Sequence, residues 1–227
     1  MTIANDRFLR QQDICSPDKL RFPITVIGAG AIGSATVLTL AKMGCSNITV
    51  WDDDILEELN VPSQMCKPTC VGRPKVDALR ELVFELTEAE VTPRNARYRG
   101  QRLEGVVIAA VDNMATRQAI WQKVKFKPSV PLLIDPRMGG EFARVYCVRP
   151  TDPDSVAFYE QNLYDGSESE RLPCSARAII YCPTVVGGLV AVLVKKHALS
   201  QAVPTEVLTD VPTLTVQAPM RVPSLTA

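Results

Sequence analysis

Residues 24–54, ITVIGAGAIGSATVLTLAKMGCSNITVWDDD, constrain the fold more than any other part of the chain. β-Branched and apolar residues run into Gly28, Gly30 and Gly33, and an apolar helical pattern follows. A second apolar run, 47–51, then ends in Asp52, Asp53 and Asp54. That order is a βαβ unit. Gly28 permits the tight turn out of the strand, Gly30 leaves room for a phosphate against the backbone, and Gly33 lets the helix pack closely on the sheet. The helix beginning near Ala31 presents unpaired N–H groups and a partial positive charge to an anion. Asp52, about twenty residues beyond the glycines, stands where a carboxylate accepts hydrogen bonds from ribose hydroxyls. The competing reading is a glycine-rich turn in a ligand-free α/β domain.

The rest of the chain extends this unit into a sheet. Asn60, Pro62 and Ser63 mark a loop, Gly72 and Pro74 punctuate a helix start, and Val76, Leu79, Leu82, Val83 and Leu86 recur at helical spacing. Lys75 falls in the first turn of that helix, where an exposed cation opposes the dipole at a cost of about 0.3–1 kcal/mol. It is either aimed at an anion or a plain surface lysine. Residues 90–98, broken by Pro93, suit an edge or irregular strand. GVVIAAV, 105–111, reads as a strand buried on both faces of a parallel sheet. Asp112 follows it, either as the N-cap of the next helix or as a carboxylate facing the ligand edge of the sheet.

Further on, residues 130–134 read as a short buried strand ending at Asp135, and 138–150 as a strand entered through paired glycines. Residues 151–174 turn polar, which suggests a mobile surface crossing with a short helix around 155–163. The apolar stretch 178–199 reads as a long helix that Pro183 can start, with Lys195, Lys196 and His197 complementing its C-terminal dipole. Gly187 and Gly188 imply close packing against a neighbour. The expected architecture is α/β: a Rossmann-like, doubly wound, mostly parallel sheet with antiparallel C-terminal strands. Residues 1–200 form one domain with a leader over 1–22. Residues 201–227 form a proline-rich extension that is either short edge strands, at 206–209 and 214–217, or disordered, with the last residues frayed.

Lys plus Arg and Asp plus Glu both number 25, so no global field draws the protein to nucleic acid or an anionic membrane. No apolar run reaches the length of a membrane span, and the N-terminus lacks a signal-peptide core. A cytoplasmic protein is expected. Its seven cysteines are then expected as free thiols, metal ligands or a nucleophile rather than as a disulfide framework. Cys66 and Cys70 have three residues between them and no second close pair exists, so a structural zinc site is not expected.

Taken in order, the motifs resemble those of the ThiF, MoeB and ubiquitin-E1 superfamily of activating enzymes. RFLRQ, residues 7–11, matches that family's R-x-x-R-Q leader, GAGAIG its glycine motif, and WDDD its D-x-D. Asn60 and Gln64 in NVPSQ stand where members have N-x-x-R-Q. GRPK, 72–75, matches G-x-x-K, and AVDNMATR, 110–117, resembles D-N-x-x-x-R. The resemblance covers residues 7 to about 199. It implies an E1-like adenylyltransferase that uses ATP and Mg²⁺ to activate the C-terminal carboxylate of a ubiquitin-like or sulfur-carrier protein ending in Gly-Gly, with release of pyrophosphate.

Under this resemblance Gly28, Gly30 and Gly33 cradle phosphate, Asp52 binds the ribose beside Asp54, and Lys75, Asn60 and Gln64 serve the nucleotide. Asp112 coordinates Mg²⁺, and Arg10 reaches a partner subunit's ATP in a homodimer. Cys174 in LPCSARAIIYC stands where some members take up the activated carrier as a thioester, with Cys182 as its rival; Arg171 and Arg177 could lower the Cys174 pKa. One departure is plain: Ser63 replaces the arginine of N-x-x-R-Q, so Arg10 or Arg73 must compensate or activity falls. Two other readings compete. An NAD(P)-dependent oxidoreductase would explain Asp52 but gives Lys75, Asp112 and the leader no role. A non-catalytic E1-like scaffold would explain Ser63.

Overall fold

The computed structural model describes residues 3–164 and 178–219. Among them a single sheet of eight strands runs in the order β3-β2-β1-β4-β5-β6-β7-β8. Strands β1 (Ile24–Ile27), β2 (Ile48–Asp52), β3 (Val91–Asn95), β4 (Val106–Ala109) and β5 (Leu132–Gly139) are parallel. β6 (Phe142–Val148), β7 (Glu206–Asp210) and β8 (Thr215–Gln217) continue the sheet antiparallel. This is the doubly wound, mostly parallel α/β sheet with antiparallel C-terminal strands that the sequence predicts. β3, which carries Pro93, lies at the edge, where a missing backbone donor is tolerated.

The strands alternate their side chains between two helical layers. Val106 and Ile108 join a core formed with α1 (Ala31–Lys42), α2 (Lys75–Thr87) and α5 (Tyr181–Ala198). Val107 and Ala109 face a second core built on α3 (Met114–Val124) and α4 (Pro153–Glu160), where Trp121 and Tyr159 pack edge to face at 4.9 Å. α1 and α5 cross so closely that a Cβ on Gly187 would sit 2.9 Å from the Ala35 carbonyl carbon. Gly188 meets nothing within 4 Å, so close packing accounts for the first glycine of the pair and not the second. Among the described residues no helix is long and apolar enough to cross a membrane.

Several expectations are corrected. β5 does not stop at Asp135 but runs to Gly139, then turns through Gly140, at φ +62, into β6. A strand can carry this polar stretch inside because the Asp135 carboxylate is paired with Arg117 and Arg137. The segment after β6 is expected as a mobile crossing with a short helix around 155–163; the helix is there as α4, but it belongs to the core: Asp152 caps it, and Val156 and Tyr159 are buried. His197 is half-buried with its ring edge-on to Phe22 at 5.3 Å. Burial, helped by Arg149, lowers its pKa, which weakens it as a cationic partner for the dipole. Cys174 and the last eight residues lie outside the described residues.

Candidate functional site

The strand order reverses between β1 and β4: from β1 the chain winds out to β2 and β3, then returns to β4 and moves the other way. In open α/β sheets ligands bind outside the carboxyl ends of strands at such a switch point. Gly28 sits there at φ +102, donating its N–H to Trp51 O at 2.7 Å. A Cβ on it would lie 2.2 Å from Ala110 O, and one on Gly33 only 1.9 Å from Gly28 O. These two glycines are fixed by packing. Gly30, the N-cap of α1, has nothing within 4 Å of its Cβ position and no side-chain cap. The first turn of α1 therefore opens onto free space, without an acidic residue of its own.

Asp52 fastens the neighbouring loop. Its Oδ2 accepts from Ala29 N at 2.6 Å and its Oδ1 from Asp54 N at 2.8 Å. Burial raises its pKa, against the lowering effect of those two backbone hydrogen bonds and of Lys75. Lys75 is brought beside it by short pairing of residues 54–56 with 72–75, in which Leu56 N donates to Arg73 O and Lys75 N to Asp54 O. The Lys75 ammonium then meets Asp54 Oδ2 at 2.6 Å. Oxygens of Asp52, Asp53 and Asp54 lie within 4.8 Å of one another, compensated by Lys75 and, at 3.8 Å, by Arg97 on Asp53.

The loop holding Asn60 and Gln64 closes against α1 through Met65 N, which donates to Ser34 Oγ at 2.9 Å. The Asn60 side chain is engaged in a capping box with Glu57, and its carbonyl accepts from the Ser63 and Gln64 N–H groups. Neither of the two arginines expected to compensate for Ser63 reaches this loop. Arg73 is turned onto Glu81 at 2.7 Å, and Arg10 lies elsewhere.

Asp112 follows β4 at the switch point and is exposed. The N-cap of α3 is Asn113, whose Oδ1 accepts from Thr116 N at 2.8 Å, so the capping reading of Asp112 is corrected. One Asp112 oxygen accepts from Asn113 Nδ2 at 3.0 Å, and the other has no partner among the described residues. A hard carboxylate oxygen left open in this way suits Mg²⁺.

Beneath it lies a cluster that sequence alone does not reveal. Asp135 is fully buried and accepts from Arg117 Nη1 at 2.7 Å, from Arg137 Nε and Nη2 at 2.9 and 2.7 Å, and from the Tyr159 hydroxyl at 2.9 Å. Arg117 also donates to Val111 O and, at 3.4 Å, to Ala109 O. Arg137 stacks over Tyr146 at 4.4 Å. Burial alone would lower the Arg137 pKa, but the Asp135 charge outweighs it and moves it upward. Burial likewise pushes Tyr159 well above its usual value. The available signal was Arg117 in D-N-x-x-x-R together with an acid at the end of the next strand; their pairing is a tertiary fact.

Two expected site residues lie apart from this edge. Arg10, in the 3-10 helix Ile3–Gln11, lines a cleft of about 510 Å³ with Arg7, Lys42, Glu85 and Glu88. That cleft is at the C-terminal ends of α1 and α2, opposite the glycine loop. Arg7 is committed there to Glu88 and to Thr87 O, whereas Arg10 has no side-chain partner among the described residues. Cys182 is buried in the first turn of α5, and burial raises its pKa, which favours the thiol over the thiolate.

The ThiF family model matches residues 18–217. The chain belongs to the ThiF family. Among similar proteins, this ThiF-family chain is 30% identical over 119 residues to the SAMP-activating enzyme E1 of Haloferax volcanii, covering 48% of this chain and 43% of that protein. It is 30% identical over 105 residues to the sulfur carrier protein ThiS adenylyltransferase of Escherichia coli, covering 43% and 42%. It is 33% identical over 105 residues to the adenylyltransferase and sulfurtransferase MOCS3 of Aedes aegypti, covering 43% and 24%. The matched region thus spans less than half the length of each of these relatives. In fold, it superimposes on E. coli MccB solved with ATP at a TM-score of 0.72 and 15% identity, over 92% of this chain and 68% of that one. It also superimposes on PaaA at 0.74 and 15% identity, over 96% and 73%.

Proposed function

We propose that this ThiF-family protein adenylates the C-terminal carboxylate of a ubiquitin-like or sulfur-carrier protein ending in Gly-Gly, using ATP. The observation that carries the reading is the convergence of four features at one switch point: the open Gly30 turn with its free helix N-terminus, Asp52, Lys75 and Asp112. The names of the relatives, a SAMP-activating enzyme and a ThiS adenylyltransferase, support it.

In the reaction a carboxylate oxygen of the carrier forms a bond to the α-phosphorus of ATP, the bond from that phosphorus to the bridging oxygen breaks, and pyrophosphate leaves. No proton need move, so positioning and charge stabilisation carry the rate. The first turn of α1 directs N–H groups at the phosphates, with Gly30 allowing their approach. Asp52 holds the ribose hydroxyls while its backbone bonds keep the glycine turn in register. Lys75 shares its ammonium between Asp54 and the phosphates, a contact worth roughly 10²–10³ in rate if it strengthens in the transition state. Asp112 would hold Mg²⁺, which when bound offsets the charge gathering on the departing pyrophosphate. Asn60 and Gln64 border the phosphates. Arg10, far from its own glycine loop and unpaired among the described residues, serves the site of a second subunit in a homodimer.

One observation favours a second reading, a non-catalytic scaffold: Ser63 leaves the loop without its arginine, and Arg73 is held by Glu81. The test is mass spectrometry of carrier proteins incubated with the protein, ATP and Mg²⁺. A carrier gaining one adenylyl group at its C-terminal carboxylate supports adenylation. Unmodified carriers together with ATP binding point to the scaffold, and binding of NADH without ATP points to an oxidoreductase.

A further inference from the structure

We infer that Asn113 is a positioning residue for Asp112, fixing one carboxylate oxygen so that the other points open to the metal of the nucleotide complex. The inference rests on the proposed role of Asp112 as the Mg²⁺ ligand.

Helix capping alone does not explain asparagine here. A side-chain cap needs only an acceptor, which Asn, Asp and Ser provide about equally well and Thr nearly so, while Gly is tolerated at an N-cap without one. Asn113 does two things at once. Its Oδ1 accepts from Thr116 N at 2.8 Å and its Nδ2 donates to Asp112 Oδ1 at 3.0 Å. An amide offers a carbonyl acceptor and an NH₂ donor on one planar group. Once the cap fixes the carbonyl, the amino group is fixed as well, and with it the Asp112 carboxylate.

The backbone of this turn is fixed from the other side. Arg117, one turn into α3, donates to the carbonyls of Ala109 and Val111, the residues leading into Asp112. Arg117 cannot drift, because Asp135 holds it at 2.7 Å and is itself fully buried under Arg137 and Tyr159. Asp112 therefore sits between a buried clamp on its backbone and a helix-anchored amide on its side chain. Groups that orient a metal-ligating side chain in this way typically change metal affinity or activity by roughly 10–100-fold when removed.

The test measures Mn²⁺ binding to the protein complexed with a non-hydrolysable ATP analogue, through loss of the free-ion EPR signal, alongside the thermal midpoint. Asn113→Thr keeps a capping acceptor and a stiff backbone, but its single hydroxyl ends one bond short of the amide nitrogen. Asn113→Gly keeps a competent N-cap with no side chain. Both are expected to weaken Mn²⁺ binding roughly 10-fold or more, with the thermal midpoint of Asn113→Thr and analogue binding without metal unchanged.

Mn²⁺ binding at the wild-type level in both variants, with Asp112→Ala defective, overturns the inference and leaves the Asp112 assignment standing. Wild-type Mn²⁺ binding in Asp112→Ala overturns the assignment and the inference with it. Weakened Mn²⁺ binding that only follows a lowered thermal midpoint and lost analogue binding reduces Asn113 to a cap and also overturns it.

Discussion

Replacing Asp135 by asparagine should be among the most damaging single changes in this fold. The carboxylate is fully buried and faces two guanidinium groups whose side chains are only 8% and 14% exposed. Neutralising it leaves two buried cations without a counter-charge, and an amide must present an NH₂ group where only acceptors are needed. Removing one partner of a buried ion pair costs about 3–5 kcal/mol, a large share of a total stability of roughly 5–15 kcal/mol. At about 2–4 °C per kcal/mol for a chain of this size, the midpoint should fall by about 6–20 °C. Urea unfolding followed by circular dichroism measures the loss, with an unchanged m-value showing that the transition remains two-state. Tyr159→Phe removes a single hydrogen bond to the same carboxylate and should cost about 1.5–3 kcal/mol. A loss below about 1 kcal/mol for Asp135→Asn would mean that water or rearrangement compensates the guanidiniums, and the account of a buried clamp under Asp112 would fail.

Two glycines of the same motif should respond in opposite ways. Gly28→Ala places a Cβ 2.2 Å from Ala110 O at φ +102 and should destabilise the fold by about 2–6 kcal/mol from strain and overpacking, read by denaturant unfolding. Gly30→Ala meets nothing within 4 Å, so it should fold with near wild-type stability while losing ATP affinity in calorimetric titration. On the acid side, Lys67 and Arg73 hold the Glu81 carboxyl down to about 2 from its ordinary 4.5. A depressed carboxyl pKa gives stability that is present above pH 4.5 and is lost as pH falls through 2. Glu81→Gln should flatten the stability profile across that window and nowhere else, and added salt should shrink the difference, since the group is exposed.

The fold was legible because its strongest signals are local. The βαβ unit, the apolar run into Asp112 and the long α5 pattern each carry their own periodicity, and the edge position of β3 follows from Pro93. What was not legible depended on partners distant in sequence. Asp135 looked like the end of a strand because an acid usually marks a surface, yet it continues β5 once Arg117 and Arg137 neutralise it. The helix expected around 155–163 was legible, but its place in the core was not, because Val156, Phe158 and Tyr159 find their partners, Trp121 and Tyr146, only in the folded chain. Asp112 and Asn113 could each have capped α3, and only the geometry assigns the cap to Asn113. The glycine turn, Asp52, Lys75 and Asp112 are gathered at one edge by topology, whereas Arg10 lies at the far end of α1 and α2 and Cys182 is buried.

The central claim is that the β1/β4 switch point activates a carboxylate with ATP, and exchange of labelled pyrophosphate into ATP tests it most directly. With a cognate carrier ending in Gly-Gly, the wild-type protein should catalyse carrier-dependent exchange. Lys75→Met should reduce it by roughly 10²–10³-fold, and Asp112→Ala should abolish it while the protein remains folded. Exchange that persists unchanged in both variants, or a protein that binds NADH and not ATP, would contradict the account.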